Sequence, residues 1–331
     1  MKKSGWIAML TLLAAGIMFF LTRPQKYMDT RTGFTRTYRA GMVRVTGFFE
    51  APYDVDILSA WKNTIIGYGL CKKQLLQMDT AGRVLRHMSF SHRHDFGLHS
   101  MSYDSNYLYC IDINDHSVYK TDLSDSLLLA DTLPLSVMGC VKNPGAGYMV
   151  QQFGPASKSA VLRSLHAQRD DTVFLFKPFD DWGVSHRGLL FQNVNASHLF
   201  YVPSFNAHGL VYEYATGKLY PLTTVDNNPV SDVSIDGPQG KILSSKAPVI
   251  NRVAAANSKY LFVLSYARSN EDRVNGIDHP VVDVYAIHGG NYQCSFVIPG
   301  IKGVRISGLT CLQDKLVVSF GQKITLLDVN I

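Results

Sequence analysis

From Met42 to the end of the chain, apolar residues fall into short runs cut by Gly, Asp, Asn, Ser and Pro. No stretch keeps a convincing helical period beyond about two turns, which argues against α/β folds. One unit recurs: an apolar strand, a polar turn, a strong hydrophobic-aromatic strand, a polar loop, an alternating strand, a tight turn and a last strand. The second strands mark it best: Thr64-Ile65-Ile66-Gly67-Tyr68, Tyr107-Leu108-Tyr109-Cys110-Ile111, Gly147-Tyr148-Met149-Val150, His198-Leu199-Phe200-Tyr201-Val202, Tyr260-Leu261-Phe262-Val263-Leu264 and Lys315-Leu316-Val317-Val318-Ser319. Third strands follow, most clearly Gln74–Asp79, Ser117–Asp122, Leu210–Tyr214 and Val282–Tyr285. Asp79-Thr80-Ala81-Gly82 and Ala215-Thr216-Gly217-Lys218 read as turns into fourth strands.

The markers recur every roughly 40 to 60 residues, the length of a four-stranded propeller blade. The pattern therefore predicts an all-β chain, a β-propeller of six four-stranded blades, with seven as the alternative count. The last unit lacks a fourth strand, because the chain ends at Ile331 just after Ile324–Val329. Met42–Phe49 is a strand with no blade of its own. Placing it outermost in the last blade closes the ring and removes two open sheet edges.

This organisation resembles six-bladed propellers of the TolB-like and NHL-like type and, more distantly, the propeller heavy chains of amine dehydrogenases. The resemblance covers residues 42–331 and rests on patterns such as Leu108-Tyr109-Cys110-Ile111-Asp112 followed by Val118-Tyr119-Lys120-Thr121-Asp122. Such propellers include binding proteins, scaffolds and hydrolases, so the resemblance implies architecture and leaves function open.

The first 26 residues differ from the rest. Lys2 and Lys3 precede an uncharged run from Ser4 to Thr22, and Arg23, Pro24 and Lys26 close it. A run this long can cross a bilayer core of about 30 Å as a helix. Residues 5–21 are thus expected to be a transmembrane helix, and residues 1–26 a membrane anchor or, in the alternative, a cleaved signal. Residues 27–41 read as a polar tether and 42–331 as the propeller domain. The lysines before the run favour a cytoplasmic N-terminus, with the propeller outside the cytoplasm, periplasmic or extracellular. Cleavage would instead make it secreted.

Composition narrows the function. The formal charge of +6 is mild, and the basic residues are scattered. With no basic stripe and no nucleic-acid-reading motif, nucleic acid is not an expected partner. The cysteines at 71, 110, 140, 294 and 311 form no C-x-x-C pair and read as mainly buried free thiols.

No Gly-x-Ser-x-Gly, His-Glu-x-x-His, P-loop or Gly-x-Gly-x-x-Gly segment occurs. The strongest local signal is Ser91-His92-Arg93-His94-Asp95. His92 and His94, two apart on an extended segment, point the same way and with Asp95 or His99 could hold a divalent metal. The bland reading is a solvated connection, and Arg93 between the imidazoles opposes a cation. No cofactor beyond that metal is expected.

In a propeller, connections from a fourth strand to the next first strand share a face with the loops between second and third strands. That rule groups His94, His116, Asp180, Asp181, His186, His208 and His279 on one face as candidate ligand-binding residues. The long segment Thr224–Val249 exceeds a simple connection and could be a lid or docking arm. The favoured reading is a membrane-anchored extracytoplasmic module binding a protein or small-molecule ligand on that face. The alternative is a propeller enzyme, a metal-assisted hydrolase or lyase or a redox partner of the amine dehydrogenase kind. That enzyme would need these histidines to converge on the channel mouth.

Overall fold

The computed structural model describes residues 33–331, apart from 40, 91–95, 113, 125–126, 135, 146, 155–158, 167–168, 180, 182, 238–239, 278–280 and 300–304. The chain opens with β1 (Val43–Glu50) and then builds four-stranded antiparallel sheets in succession. Blade 1 is β2 (Ile57–Trp61), β3 (Thr64–Gly69), β4 (Gln74–Met78) and β5 (Val84–Ser89). Blade 2 is β6 (Leu98–Tyr103), β7 (Leu108–Asp112), β8 (Ser117–Thr121) and β9 (Leu128–Thr132). Blade 3 is β10 (Val137–Lys142), β11 (Tyr148–Gly154), β12 (Ser159–His166) and β13 (Arg169–Leu175). Blade 4 is β14 (Gly188–Gln192), β15 (His198–Pro203), β16 (His208–Glu213) and β17 (Lys218–Thr223).

After the hairpin β18 (Ser234–Gly237) and β19 (Gly240–Leu243) comes blade 5. Its strands are β20 (Asn251–Ala256), β21 (Tyr260–Ser265), β22 (Val281–Ala286) and β23 (Tyr292–Val297), with the short helix α1 (Asn270–Val274) between β21 and β22. Blade 6 is β24 (Gly308–Leu312), β25 (Lys315–Phe320) and β26 (Lys323–Val329), completed by β1. First strands of successive blades lie side by side, and β24 meets β2, so the ring is closed. This is a six-bladed β-propeller.

The core is divided among the blade interfaces. Neighbouring residues of each second strand serve different ones. Leu108 and Cys110 pack with Tyr68 and Phe90 of blade 1, while Tyr109 and Ile111 pack with Val137 and Val150 of blade 3. Leu199 and Tyr201 face Leu162 of blade 3, while Phe200 and Val202 face Val263 of blade 5. A strand buried on both faces cannot alternate apolar with polar. The marker runs are therefore continuous, and each falls on the second strand of its blade.

Closure follows the sequence expectation. β1 pairs antiparallel with β26, from Val43 opposite Val329 to Glu50 opposite Lys323. A bulge between Val45 and Gly47 bends the strand.

Of residues 27–41, read as a tether, the structure describes 33–39 and 41. Residues 33–39 are packed against blade 5. Tyr38 forms a parallel bridge with Ser295 of β23, and the Ser295 N–H donates to Thr37 O at 2.9 Å. Arg36 is buried: it donates to both Asp283 oxygens, to the Ala267 carbonyl at 2.8 Å and to Asp272. A segment without apolar period can still dock when one cation satisfies a buried acidic site. Residues 5–21 lie outside the described residues, and among those described no helix is long and apolar enough to cross a membrane.

The thiols read as free are free. Cys110, Cys140, Cys294 and Cys311 are buried and Cys71 is exposed.

Candidate functional site at the channel mouth

The first strands surround the central channel, and each enters from the face that carries the fourth-to-first connections. Along most of their length their side chains pack between blades. Three of them carry a β-bulge at the same place, the second residue. In β6 the register shifts between Leu98 and Ser100, in β10 between Val137 and Gly139, and in β20 between Asn251 and Val253. The extra residues are His99, Met138 and Arg252. A bulged residue leaves the ladder and re-aims its side chain. Blades 2, 3 and 5 thus each free one side chain at the channel mouth.

A cleft of about 330 Å³ opens there between blades 4, 5 and 6, lined by Ser204, Phe205, Val249, Asn251, Arg252, Val253 and Ser307. Ser204 holds it together. Its N–H donates to Arg187 O at 2.9 Å, and its carbonyl accepts from Ile250 N at 2.7 Å. Asn251, fully buried, donates its amide to Pro203 O at 2.8 Å and Asn206 O at 3.2 Å. Its Oδ1 has no hydrogen-bond partner among the described residues, and neither has the buried Nε of Arg252. The Arg252 guanidinium stands 5.9 Å from the Tyr266 ring centroid.

His99 reaches the same mouth from the other side. It keeps solvent contact although protein encloses it closely. Desolvation, and then the positive charge of Arg187, hold its imidazole below the usual histidine range, opposed by a hydrogen bond with the Met138 backbone. A ring nitrogen that donates to a carbonyl leaves the other with its lone pair. His99 is thus biased toward its neutral, hydrogen-bonding form beside Arg187.

The candidates read from sequence have different surroundings. Asp181 is buried and accepts from Gly183 N at 2.8 Å and Ser185 N at 2.6 Å, which fixes the 3-10 turn Val184–His186. His186 is buried; its Nε2 meets Lys177 O at 2.7 Å, and its ring packs 5.1 Å from Phe176 and 5.5 Å from Phe179, centroid to centroid. Burial holds its imidazole below the usual range, against the pull of the Lys177 carbonyl and Asp181.

His116 sits half-buried in a left-handed turn, φ 55°, before the third strand β8. His208 is exposed at the start of the third strand β16. His92, His94, Asp95, Asp180 and His279 lie outside the described residues. Among the described residues no group of three or more His, Cys, Asp or Glu could hold a metal ion.

Sequence reasoning considered His99 only as a possible metal ligand, and it missed Arg187 and Arg252. Bulges in first strands have no strong local signature. The usable signal was a charged residue near the start of a first strand, as in Asn251-Arg252-Val253.

The Thr224–Val249 segment, expected as a lid or arm, carries the β18–β19 hairpin on the connection face. Val233 N donates to Ser185 Oγ at 2.8 Å, which ties the hairpin base to the 184–186 turn. Val249, at the end of the segment, forms part of the cleft wall.

Fold and site together define a six-bladed propeller with a cationic, partly enclosed channel mouth. No protein-family profile matches the chain, and no curated protein matches it in sequence. Solved structures similar in fold include a Bacteroides fragilis protein assigned as exported, with TM-score 0.57 and 11% identity over 92% of this chain and 99% of that one. Virginiamycin B lyase from Staphylococcus aureus has TM-score 0.52 and 8% identity over 87% of this chain and 99% of that one. A streptogramin B lyase has TM-score 0.50 and 11% identity over 92% and 100%. At such identities the likeness is one of fold.

Proposed function

We propose that the protein is a binding propeller, held at a membrane by residues 5–21 with its propeller outside the cytoplasm. Its ligand site is the channel mouth on the connection face. The observation that carries this reading is the repeated bulge at the second residue of three first strands, His99, Met138 and Arg252, the last of which lines the cleft. Regular blades do not need a bulge at that position, and β2, β14 and β24 pair without one. Unpartnered polar atoms on Asn251 and Arg252 beside the cleft point the same way, because buried polar groups are ordinarily satisfied.

Binding is favoured over the enzyme reading by where the described histidines sit. His116 and His208 adjoin third strands, about 10 Å outward from the first strand at the usual inter-strand spacing. His186 is enclosed by aromatic rings. A convergent histidine site is not assembled from these three. Membrane attachment rests on the apolar run from Gly5 to Leu21 behind Lys2 and Lys3.

The test is a thermal-shift screen of a small-molecule library on the detergent-solubilised full chain. A stabilising compound should lose its effect when Phe205→Ala is introduced and keep it in Lys218→Gln, on the opposite face. Hits indifferent to Phe205 would move the site elsewhere. Alkaline carbonate should leave the chain in the membrane pellet; release into the supernatant would remove the anchor from the reading.

A further inference from the structure

We propose that the channel mouth takes a small oxyanion, a carboxylate or phosphate group, held between Arg187 and Arg252. The inference rests on the channel-mouth reading above and adds the chemical class of the ligand.

Two arginines flank one residue there. Arg187 immediately precedes β14, and its carbonyl accepts from Ser204 N. Ser204 and Arg252 line the same cleft, and the Ser204 carbonyl accepts from Asn251 N at 3.3 Å, one residue before Arg252. The Arg187 charge is also felt at His99 across the mouth. Blades 4 and 5 therefore contribute to one locus.

No described residue neutralises these cations. The cleft lining contains no Asp or Glu. No ion pair joins Arg187 or Arg252 to a carboxylate among the described residues. The contrast within the molecule is sharp. Arg36, also withdrawn from water, is matched by two carboxylates. Arg252, with its Nε buried, is matched by none.

A guanidinium losing water without a partner is unfavourable, and an arriving oxyanion reverses that through paired, charge-assisted hydrogen bonds. Arginine is suited to this because its planar fork fits carboxylate and phosphate oxygens. His99, held neutral, can accept from a hydroxyl on the same ligand without adding repulsion. A cleft of about 330 Å³ is of a size that suits a small molecule.

Isothermal titration of the full chain in a neutral detergent tests this. The probes are inorganic phosphate and citrate, at fixed ionic strength with chloride as the replaced anion. Saturable binding of one equivalent is expected for at least one probe, and the preferred probe separates phosphate from carboxylate. Arg187→Gln and Arg252→Gln should each weaken binding tenfold or more, with Lys218→Gln unchanged. If Arg252→Gln does not fold, Arg252→Lys keeps the charge and loses the fork, and should weaken binding to a smaller degree.

No saturable binding of either probe up to about 10 mM would overturn the proposal. So would binding that both arginine variants leave intact. A neutral compound that binds in a Phe205-dependent way while both anions fail would overturn the oxyanion and keep the mouth. Failure of every Phe205-dependent compound would remove both.

Discussion

Arg36 and Asp283 are 247 positions apart and meet through two parallel hydrogen bonds, Nε to Oδ1 at 2.8 Å and Nη2 to Oδ2 at 3.0 Å. Both are buried. Asp272, the N3 residue of the α1 capping box, takes a third bond from the same guanidinium, and Ser295 Oγ donates to Asp283 at 2.6 Å. One cation from the N-terminal segment thus satisfies two acids of blade 5.

Removing that cation should be costly. Arg36→Met leaves two enclosed carboxylates without a counter-charge, and a loss of about 3–5 kcal/mol is expected in urea unfolding. Desolvation already pushes the Asp283 carboxyl up against the pull of Arg36. Without Arg36 the push is unopposed, so the protonated form is the one the fold accepts. Stability of the variant should then be retained at low pH and fall as pH rises through the raised value. Adding Asp283→Asn should recover part of the loss; an Arg36→Met deficit flat from pH 5 to 8 would contradict this account.

A second pH effect has the opposite sign. Asp104, in the turn between β6 and β7, accepts from Asn106 N and Tyr107 N at 2.8 Å each and from Tyr109 OH at 2.7 Å. Burial alone would raise its pKa, but these bonds and Lys142 outweigh burial and hold it low. Asp104→Asn should therefore cost about 1–2 kcal/mol above pH 4, with the difference fading as pH falls through the depressed folded value. Chemical denaturation at pH 3 and pH 7 would show it.

His186 and His208 were grouped by the loop rule and separate by burial. A loop position by itself would let Ala leave stability unchanged, but His186 is buried. His186→Ala should lower stability by about 2–3 kcal/mol, through a lost Lys177 contact and a void between Phe176 and Phe179. His208→Ala should stay within about 0.5 kcal/mol. Equal melting temperatures for the two variants would refute the distinction.

Much of the fold was legible because burial on both faces writes itself as an uninterrupted apolar run. Ile65 and Ile66, adjacent in β3, belong to the cores with blade 6 and blade 2 respectively. Turns were legible where φ is restrictive: Gly82 and Gly217, in predicted turns, have φ of 81° and 68°. The site was less legible. Whether His99 or Arg252 leaves its ladder depends on register against β7 and β21, a relation between segments that neither segment contains. Arg36 was missed for a related reason, since its partners lie in blade 5.

Deleting residues 42–49 should abolish the cooperative melt. β26 would regain an open edge, and the core shared by blades 5 and 6 would lose Met42, which packs with Cys294 and Leu327. A truncated chain that melts like the intact one would show that the pairing of β1 with β26 is dispensable.

That pairing also sets an order of events during synthesis. β1 leaves the ribosome before the first blade, and β26 leaves it after the first five. The early strand must wait, its edge open, while five blades form ahead of its partner. Any chain that stops short of Lys323 leaves β1 without its partner strand and the ring unsealed.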